Sequence, residues 1–132
     1  MLIDNNQDHN FFNERMVKKC NAAEFVISKQ MGRDALTYLK TCRNETGDPH
    51  PDLIFLDINM PGMNGWEFLD EYSRLDEKLK NGTKVILLTT SDNPDDKIKA
   101  RAMNVAVDFK TKPLTREMLE DLANKFFTAN RH

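Results

Sequence analysis

Apolar positions along the chain follow two alternating patterns, short uninterrupted runs and longer stretches with helical spacing. Runs such as "DLIFLD" and "KVILLT" show no polar alternation, which predicts strands buried on both faces. Stretches with apolar residues three and four positions apart predict amphipathic helices. The predicted strands are residues 1–4, 24–28, 52–57, 84–89 and 105–110. The predicted helices are residues 8–20, 32–44, 65–80, 91–103 and 115–127.

Polar residues, glycines and prolines mark the ends of these helices. Asn81-Gly82 ends the third helix, because glycine after a last turn adopts the left-handed conformation without strain. The fourth helix has its cap region between Ser91 and Asn93, with Pro94 at or near the first helical position. Thr115 is the predicted N-cap of the last helix.

Strands and helices alternate five times along the chain. This order predicts an α/β fold, with a parallel sheet covered by helices on both faces. No linker, repeat or low-complexity segment interrupts the alternation, so we predict a single domain over residues 1–132 without an output domain. In such sheets, ligands bind beyond the carboxyl ends of the strands.

Composition narrows the classes of function. The 132 residues are 39% apolar and 30% charged, with a net charge of -2. This balance argues against a surface dedicated to nucleic acid or to anionic membranes. No apolar run reaches the roughly 18 residues of a membrane span, and no signal sequence opens the chain, so we expect a cytoplasmic protein.

The cysteines and histidines show no pattern typical of metal ligands. Cys20 and Cys42 are predicted to be thiols, with a disulfide or redox role as the alternative. His9, His50 and His132 have no partner at ligand spacing, and we expect them on the surface.

Polar residues that bear useful chemistry follow four of the predicted strands. They are Asp4-Asn5, Asp57, Thr89-Thr90 and Lys112-Pro113. Each residue alone has an ordinary interpretation as a cap, a turn former or a solvated side chain. Together they predict a site in which carboxylates bind Mg²⁺ and a hydroxyl and an ammonium bind a phosphoryl group. An aspartate in such a site can serve as the nucleophile.

A tight turn follows Asp57 and contains Met60, Pro61, Gly62 and Gly65. The two glycines supply the backbone freedom that such a turn requires. The turn would allow backbone carbonyls to face the metal bound by Asp57.

The motif "LDINMPGMNGWEFL" resembles the third-strand motif of response-regulator receiver domains of two-component signalling, and "ILLTTS" and "KTKPLT" support the resemblance. It covers nearly the whole chain. It implies a flavodoxin-like, three-layer (βα)5 fold with a five-stranded parallel sheet in the order 2-1-3-4-5. It also implies a signalling switch rather than an enzyme, acting in a phosphorelay.

The resemblance implies a role for each of the residues at the strand ends. Asp57 is the expected phosphoacceptor, and its donor is a histidine kinase or a phosphotransfer protein. Mg²⁺ is expected to bind Asp4, Asn5, Asp57 and the backbone carbonyl of Asn59. The remaining roles are a switch hydroxyl on Thr89, an aromatic switch at Phe109, a phosphoryl contact from Lys112 and a cis peptide before Pro113.

Three departures from the family pattern lead to further expectations. Asn5 replaces the usual carboxylate, which predicts weaker Mg²⁺ binding and slower phosphorylation. The first strand is short, which suggests a natural start upstream of Met1. The segment between Thr89 and Lys112 is one residue longer than the commonest spacing, so Thr90 is the alternative switch hydroxyl.

Two other functions remain open from the sequence. A pseudo-receiver would bind partners without phosphorylation, and Asn5 is its support. A haloacid-dehalogenase-like phosphatase would need a second aspartate where Asn59 stands. For the receiver, the expected partners are the phosphoryl donor and an output protein of unknown identity, with no nucleic acid bound directly, and the expected state is a monomer or weak homodimer.

Overall fold

The computed structural model describes residues 1–23, 25–42, 47, 49–60, 62–89, 93–103 and 108–126. Its strands are β1 (Leu2–Ile3), β2 (Ser28–Lys29), β3 (Leu53–Leu56), β4 (Lys84–Thr89) and β5 (Asp108–Thr111). Its helices are α1 (Gln7–Lys19), α2 (Gly32–Thr41), α3 (Gly65–Ser73), α4 (Glu77–Lys80), α5 (Pro94–Met103) and α6 (Arg116–Phe126).

The five strands form one parallel sheet in the order β2-β1-β3-β4-β5, which confirms the predicted order. The apolar run of β3 pairs with β1 on one side and with β4 on the other. Strands that are buried on both faces and paired on both edges have no solvated side, and this explains the absence of polar alternation in β3 and β4.

Two apolar clusters lie on opposite faces of the sheet. One contains side chains of α2 and α3, among them Leu39, Phe68 and Leu69, packed against Ile54 and Leu56 of β3. The other contains side chains of α1 and α6 packed against Phe55 and β4, among them Val17, Leu119 and Leu122. Alternate residues of β3 therefore serve alternate cores, which gives the predicted three-layer α/β architecture.

The predicted second strand is mostly wrong. Residues 25–27 are not a strand, residue 24 lies outside the described residues, and β2 occupies Ser28–Lys29. The register explains the difference, because β1 begins at Leu2 and Leu2 pairs with Ser28. The β-branched pattern of "EFVIS" therefore extends beyond the strand that could pair with it.

The predicted helix over residues 65–80 is two helices. Helix α3 ends at its C-cap Arg74, and α4 begins after Asp76. Asp76 has a non-helical ψ of 138°, and its side chain accepts a hydrogen bond from the backbone N–H of Lys78. An aspartate that caps a new helix in this way interrupts the continuous helix that the apolar spacing predicts.

The remaining helix boundaries agree closely with the sequence. Helix α1 begins one residue earlier than predicted, after its N-cap Asn6. Helix α5 begins at Pro94, and Thr115 caps α6 by accepting a hydrogen bond from the backbone N–H of Met118. Gly82 follows α4 with φ of +79°, as expected after a helix end. Parts of predicted elements at residues 43–44, 91–92, 105–107 and 127 lie outside the described residues.

Cys20 and Cys42 form no disulfide, in agreement with the predicted thiols. Among the residues that the structure describes, no helix combines the length and the apolar character that crossing a bilayer requires.

Candidate functional site

The carboxyl ends of β1, β3, β4 and β5 bring four of the predicted residues to one edge of the sheet. The backbone N–H of Asp57 donates to the Ile3 carbonyl at 2.9 Å, which places Asp57 beside Asp4. The backbone N–H of Lys112 donates to the Thr89 carbonyl at 2.6 Å, which holds the end of β5 against the end of β4. The parallel sheet thus assembles residues that lie far apart in sequence.

Lys112 connects the two aspartates. Its Nζ donates a hydrogen bond to Asp4 Oδ2 and lies 3.4 Å from Asp57 Oδ2. The side chains of all three residues are no more than 8% exposed. Two buried carboxylates therefore share one ammonium group.

This arrangement raises the pKa of Asp57. Burial is the largest cause, and repulsion by the Asp4 carboxylate adds to it. The Lys112 ammonium and a hydrogen bond from the backbone N–H of Asn59, 3.2 Å from Asp57 Oδ1, act in the opposite direction. Two carboxylates face one ammonium, so a second cation is favourable in the pocket.

The ligands available for that cation suit Mg²⁺. Asp4 and Asp57 supply carboxylate oxygens, and Asn59 stands two residues after Asp57 at an exposed position. Among the described residues, no three side chains of the His, Cys, Asp and Glu types converge as a metal-binding group. A site with two carboxylates fits Mg²⁺, which binds few protein ligands, better than metals that require a full protein cage.

Asn5 differs from its neighbour Asp4 in exposure. Asp4 is buried, whereas Asn5 is exposed to solvent. Asp4 Oδ1 accepts a hydrogen bond from the backbone N–H of Asn6 at 2.9 Å, which fixes the carboxylate at the start of α1. The role of Asn5 as a metal ligand stays a prediction.

The turn after Asp57 is held by the start of α3. Asn64 and Glu67 form a reciprocal capping box, a signal in "NGWE" that our sequence reasoning missed. Gly62 has φ of +74°, and Gly65 approaches the backbone of Ile58 so closely that a Cβ would lie 2.6 Å from the Ile58 Cα. These two glycines meet the requirement for backbone freedom, and Pro61 lies outside the described residues.

Of the predicted switch residues, Thr89 ends β4 and Phe109 is the second residue of β5. Thr89 is fully buried, and Phe109 is partly buried with the Lys97 ammonium 5.9 Å from its ring centroid. The Lys112–Pro113 peptide is cis, as the resemblance implies. The alternative hydroxyl, Thr90, lies outside the described residues.

Two of the histidines expected on the surface, His9 and His50, are partly exposed, and both have polar contacts. His9 Nδ1 lies 3.3 Å from Asp4 Oδ2 and 3.1 Å from Lys112 Nζ. His50 Nε2 lies 2.6 Å from the Leu79 carbonyl, at the opposite end of the sheet. The sequence carried one signal for His9, its position in the first turn of a helix that begins just after Asp4.

Comparison with known proteins places these features in a family. Residues 1–124 match the family model of the response regulator receiver domain. Protein PilG of Pseudomonas aeruginosa is 30% identical over 119 residues, covering 90% of this chain and 79% of PilG. These matches do not favour a haloacid-dehalogenase-like phosphatase.

Solved structures show the same similarity. A two component response regulator from Cytophaga hutchinsonii has a TM-score of 0.85 and 34% identity, with 95% of this chain and 92% of that chain covered. A CheY-like response regulator receiver domain protein from Methanospirillum hungatei has a TM-score of 0.72 and 27% identity, with 99% and 94% covered. The chain therefore belongs to the response regulator receiver domain family, whose members are signalling switches with a flavodoxin-like fold.

Proposed function

We propose that the domain accepts a phosphoryl group on Asp57 from a histidine kinase or a phosphotransfer protein. The observation that carries this proposal is the pairing of Asp57 with Asp4 across the single ammonium of Lys112. Burial and a neighbouring carboxylate raise the pKa of Asp57. Cations and hydrogen-bond donors that bind beside such a carboxylate stabilise its charged form.

Each residue of the site has a part in the proposed reaction. An Asp57 carboxylate oxygen attacks the phosphorus atom, and the bond to the donor breaks. Lys112 donates a hydrogen bond to a phosphoryl oxygen, and the Thr89 hydroxyl donates another. Asp4, Asp57 and the Asn59 carbonyl, with weaker support from Asn5, would hold Mg²⁺, which would neutralise charge on the transferred group.

The proposed output is a change in a protein-binding surface. The Thr89 hydroxyl and the Phe109 ring would move together once a phosphoryl oxygen is available at Asp57. The active arrangement is then populated because it alone makes these phosphoryl contacts. Thr90 takes the place of Thr89 in this scheme if the longer spacing to Lys112 shifts the hydroxyl by one residue.

Intact mass after incubation with acetyl phosphate and Mg²⁺ tests the proposal. We expect the wild type to gain one phosphoryl group, and we expect Asp57→Ala, or omission of Mg²⁺, to abolish the gain. A wild-type protein that stays unmodified would favour the pseudo-receiver, which binds its partners without phosphorylation.

A further inference from the structure

Asn10 in helix α1 is a buried polar side chain whose amide has only one possible orientation. The residue is 5% exposed. Its Nδ2 donates hydrogen bonds to the Asp4 carbonyl at 2.8 Å and to the Lys29 carbonyl at 3.3 Å. Since a carbonyl oxygen only accepts, exchanging the nitrogen and the oxygen of the amide would place Oδ1 against two other acceptors. The side chain therefore directs Nδ2 toward the ends of β1 and β2, and Oδ1 away from these carbonyls.

The oxygen of this amide is an acceptor without a protein donor. Among the residues that the structure describes, Asn10 Oδ1 is the one buried side-chain nitrogen or oxygen atom that has no hydrogen-bond partner. A buried acceptor that receives no hydrogen bond has lost its hydration without compensation, which destabilises the fold. Buried side-chain polar atoms in folded proteins have a partner in the large majority of cases, either a protein group or an ordered water molecule. A donor beside Asn10 Oδ1 is therefore strongly favoured.

A small cavity adjoins Asn10, between helix α1 and the carboxyl ends of the central strands. The polar residues of its wall are Asp4, Asn10, Asn13, Asp57 and Lys112, and the remaining residues of the wall are apolar. Its volume is about 10 Å³, which is the space that one water molecule needs. A phosphate ion or an organic molecule is too large for this space.

Asn13 places a second amide beside the cavity. It lies three residues after Asn10, on the same side of α1, and it is 4% exposed. The buried residues of α1 are Asn10, Asn13 and Val17, so two of these three positions carry amides where apolar side chains are usual. Apolar cavities in proteins stay dry, whereas polar cavities of sufficient size hold ordered water. The chemistry of the wall therefore favours a water molecule.

We propose that this cavity binds one internal water molecule, which donates a hydrogen bond to Asn10 Oδ1 and joins helix α1 to the pocket that contains Asp57. A buried water molecule makes two to four hydrogen bonds, and the polar groups of Asn13, Asp57 and Lys112 in the same wall are available as its further partners. The side chains of Asp57 and Lys112 are only 7% and 8% exposed, so an internal water molecule supplies hydration that bulk solvent hardly provides. The site does not depend on phosphorylation of Asp57.

A crystal structure of the wild-type chain, at a resolution that shows ordered water, tests the site directly. We expect one water molecule in the cavity, with its oxygen about 2.8 Å from Asn10 Oδ1. A cavity without electron density would overturn the proposal. Density with the short distances and the several oxygen ligands of a metal cation would also overturn it, because the occupant would then not be water.

Magnetic relaxation dispersion of the solvent supplies a second test, since it counts the water molecules that stay inside a protein far longer than those at its surface. We expect Asn10→Leu, which removes the acceptor, to hold one long-lived water molecule fewer than the wild type. Asn13→Leu also fills the cavity and is expected to show the same loss, so it replaces Asn10→Leu if that variant does not fold. Asn81→Leu is the control, because Asn81 is exposed after α4. Equal counts in the wild type and in a folded cavity variant would overturn the proposal.

Discussion

Gly65 lies directly against the backbone of Ile58, the residue that follows Asp57. Its N–H donates to the Ile58 carbonyl at 2.8 Å, and a Cβ on Gly65 would lie 2.6 Å from the Ile58 Cα and 2.8 Å from the Asp57 carbonyl oxygen. Backbone atoms cannot move aside as the end of a flexible side chain can. The start of α3 and the end of β3 therefore meet at a point where a side chain on residue 65 would overlap backbone atoms.

We expect Gly65→Ala to lower the free energy of unfolding by about 2 kcal/mol, because the added methyl group forces two backbone segments apart. Urea denaturation followed by circular dichroism measures this change. Gly32→Ala is the matched control, since Gly32 also opens a helix but its Cβ would meet the flexible Met63 side chain. A similar loss of stability in both variants would contradict the prediction.

The raised pKa of Asp57 predicts that its charge costs stability in the absence of metal. A carboxyl group whose pKa is higher in the folded than in the unfolded protein stabilises the fold while it is protonated, and this contribution is lost as the pH rises through the folded-state pKa. We therefore expect Asp57→Asn to be more stable than the wild type at pH 7 by about 1 kcal/mol in the presence of a chelator.

Urea denaturation of the two proteins at pH 7 and pH 4 measures this difference, which should shrink at the lower pH. The exposed Asp34 provides the control, because Asp34→Asn removes the same charge outside the pocket. A wild type that is more stable than Asp57→Asn at pH 7 without metal would show that Lys112 outweighs burial and Asp4.

Asn5→Asp tests whether the exposed position beside Asp4 reaches the metal. One more negative charge among the ligands is expected to raise the affinity for Mg²⁺ roughly tenfold. Titration calorimetry with MgCl₂ measures the affinity, and Asn81→Asp makes the same charge change at the end of α4, before β4 begins. An unchanged affinity in Asn5→Asp would mean that residue 5 takes no part in binding the ion.

Tyr72 makes the stability of the protein fall at alkaline pH. Burial raises the pKa of its hydroxyl to about 12, with a hydrogen bond involving Thr83 acting in the opposite direction. The unfolded chain loses this proton near pH 10 while the folded protein keeps it, so stability falls as the pH rises above 10. The slope of unfolding free energy between pH 10 and about 12 should be shallower in Tyr72→Phe, and equal slopes would contradict the assignment.

The sequence predicted best the strands that lie between two paired strands in the middle of the sheet. Every residue of β3 and β4 pairs with at least one neighbouring strand. The apolar run and the observed strand therefore agree, with the same bounds at Lys84–Thr89 and within one residue at each end of Leu53–Leu56. Strand β2 was predicted in the wrong place, because its extent depends on where β1 begins rather than on its own residues. The break at Asp76 was missed because the apolar spacing continues through it.

The candidate site also combines residues that the sequence predicted with a contact that it did not. Asp4, Asp57 and Lys112 were predictable because strand ends in a parallel sheet meet at one edge. The contact between His9 and Lys112 joins residues 103 positions apart and depends on the length of a lysine side chain, which no local pattern encodes. The sequence pattern therefore located the pocket, while the contacts within it required three-dimensional geometry.

The hydrogen bond from the Lys112 N–H to the Thr89 carbonyl continues the ladder in which Thr89 pairs with Thr111. Two predicted phosphoryl contacts, one from a hydroxyl and one from an ammonium, are thus attached to the same pair of strands. A displacement of the end of β4 cannot occur without a matching displacement of the end of β5 unless this bond breaks. The two side chains are therefore positioned together by one hydrogen-bonded strand pair and not independently of each other.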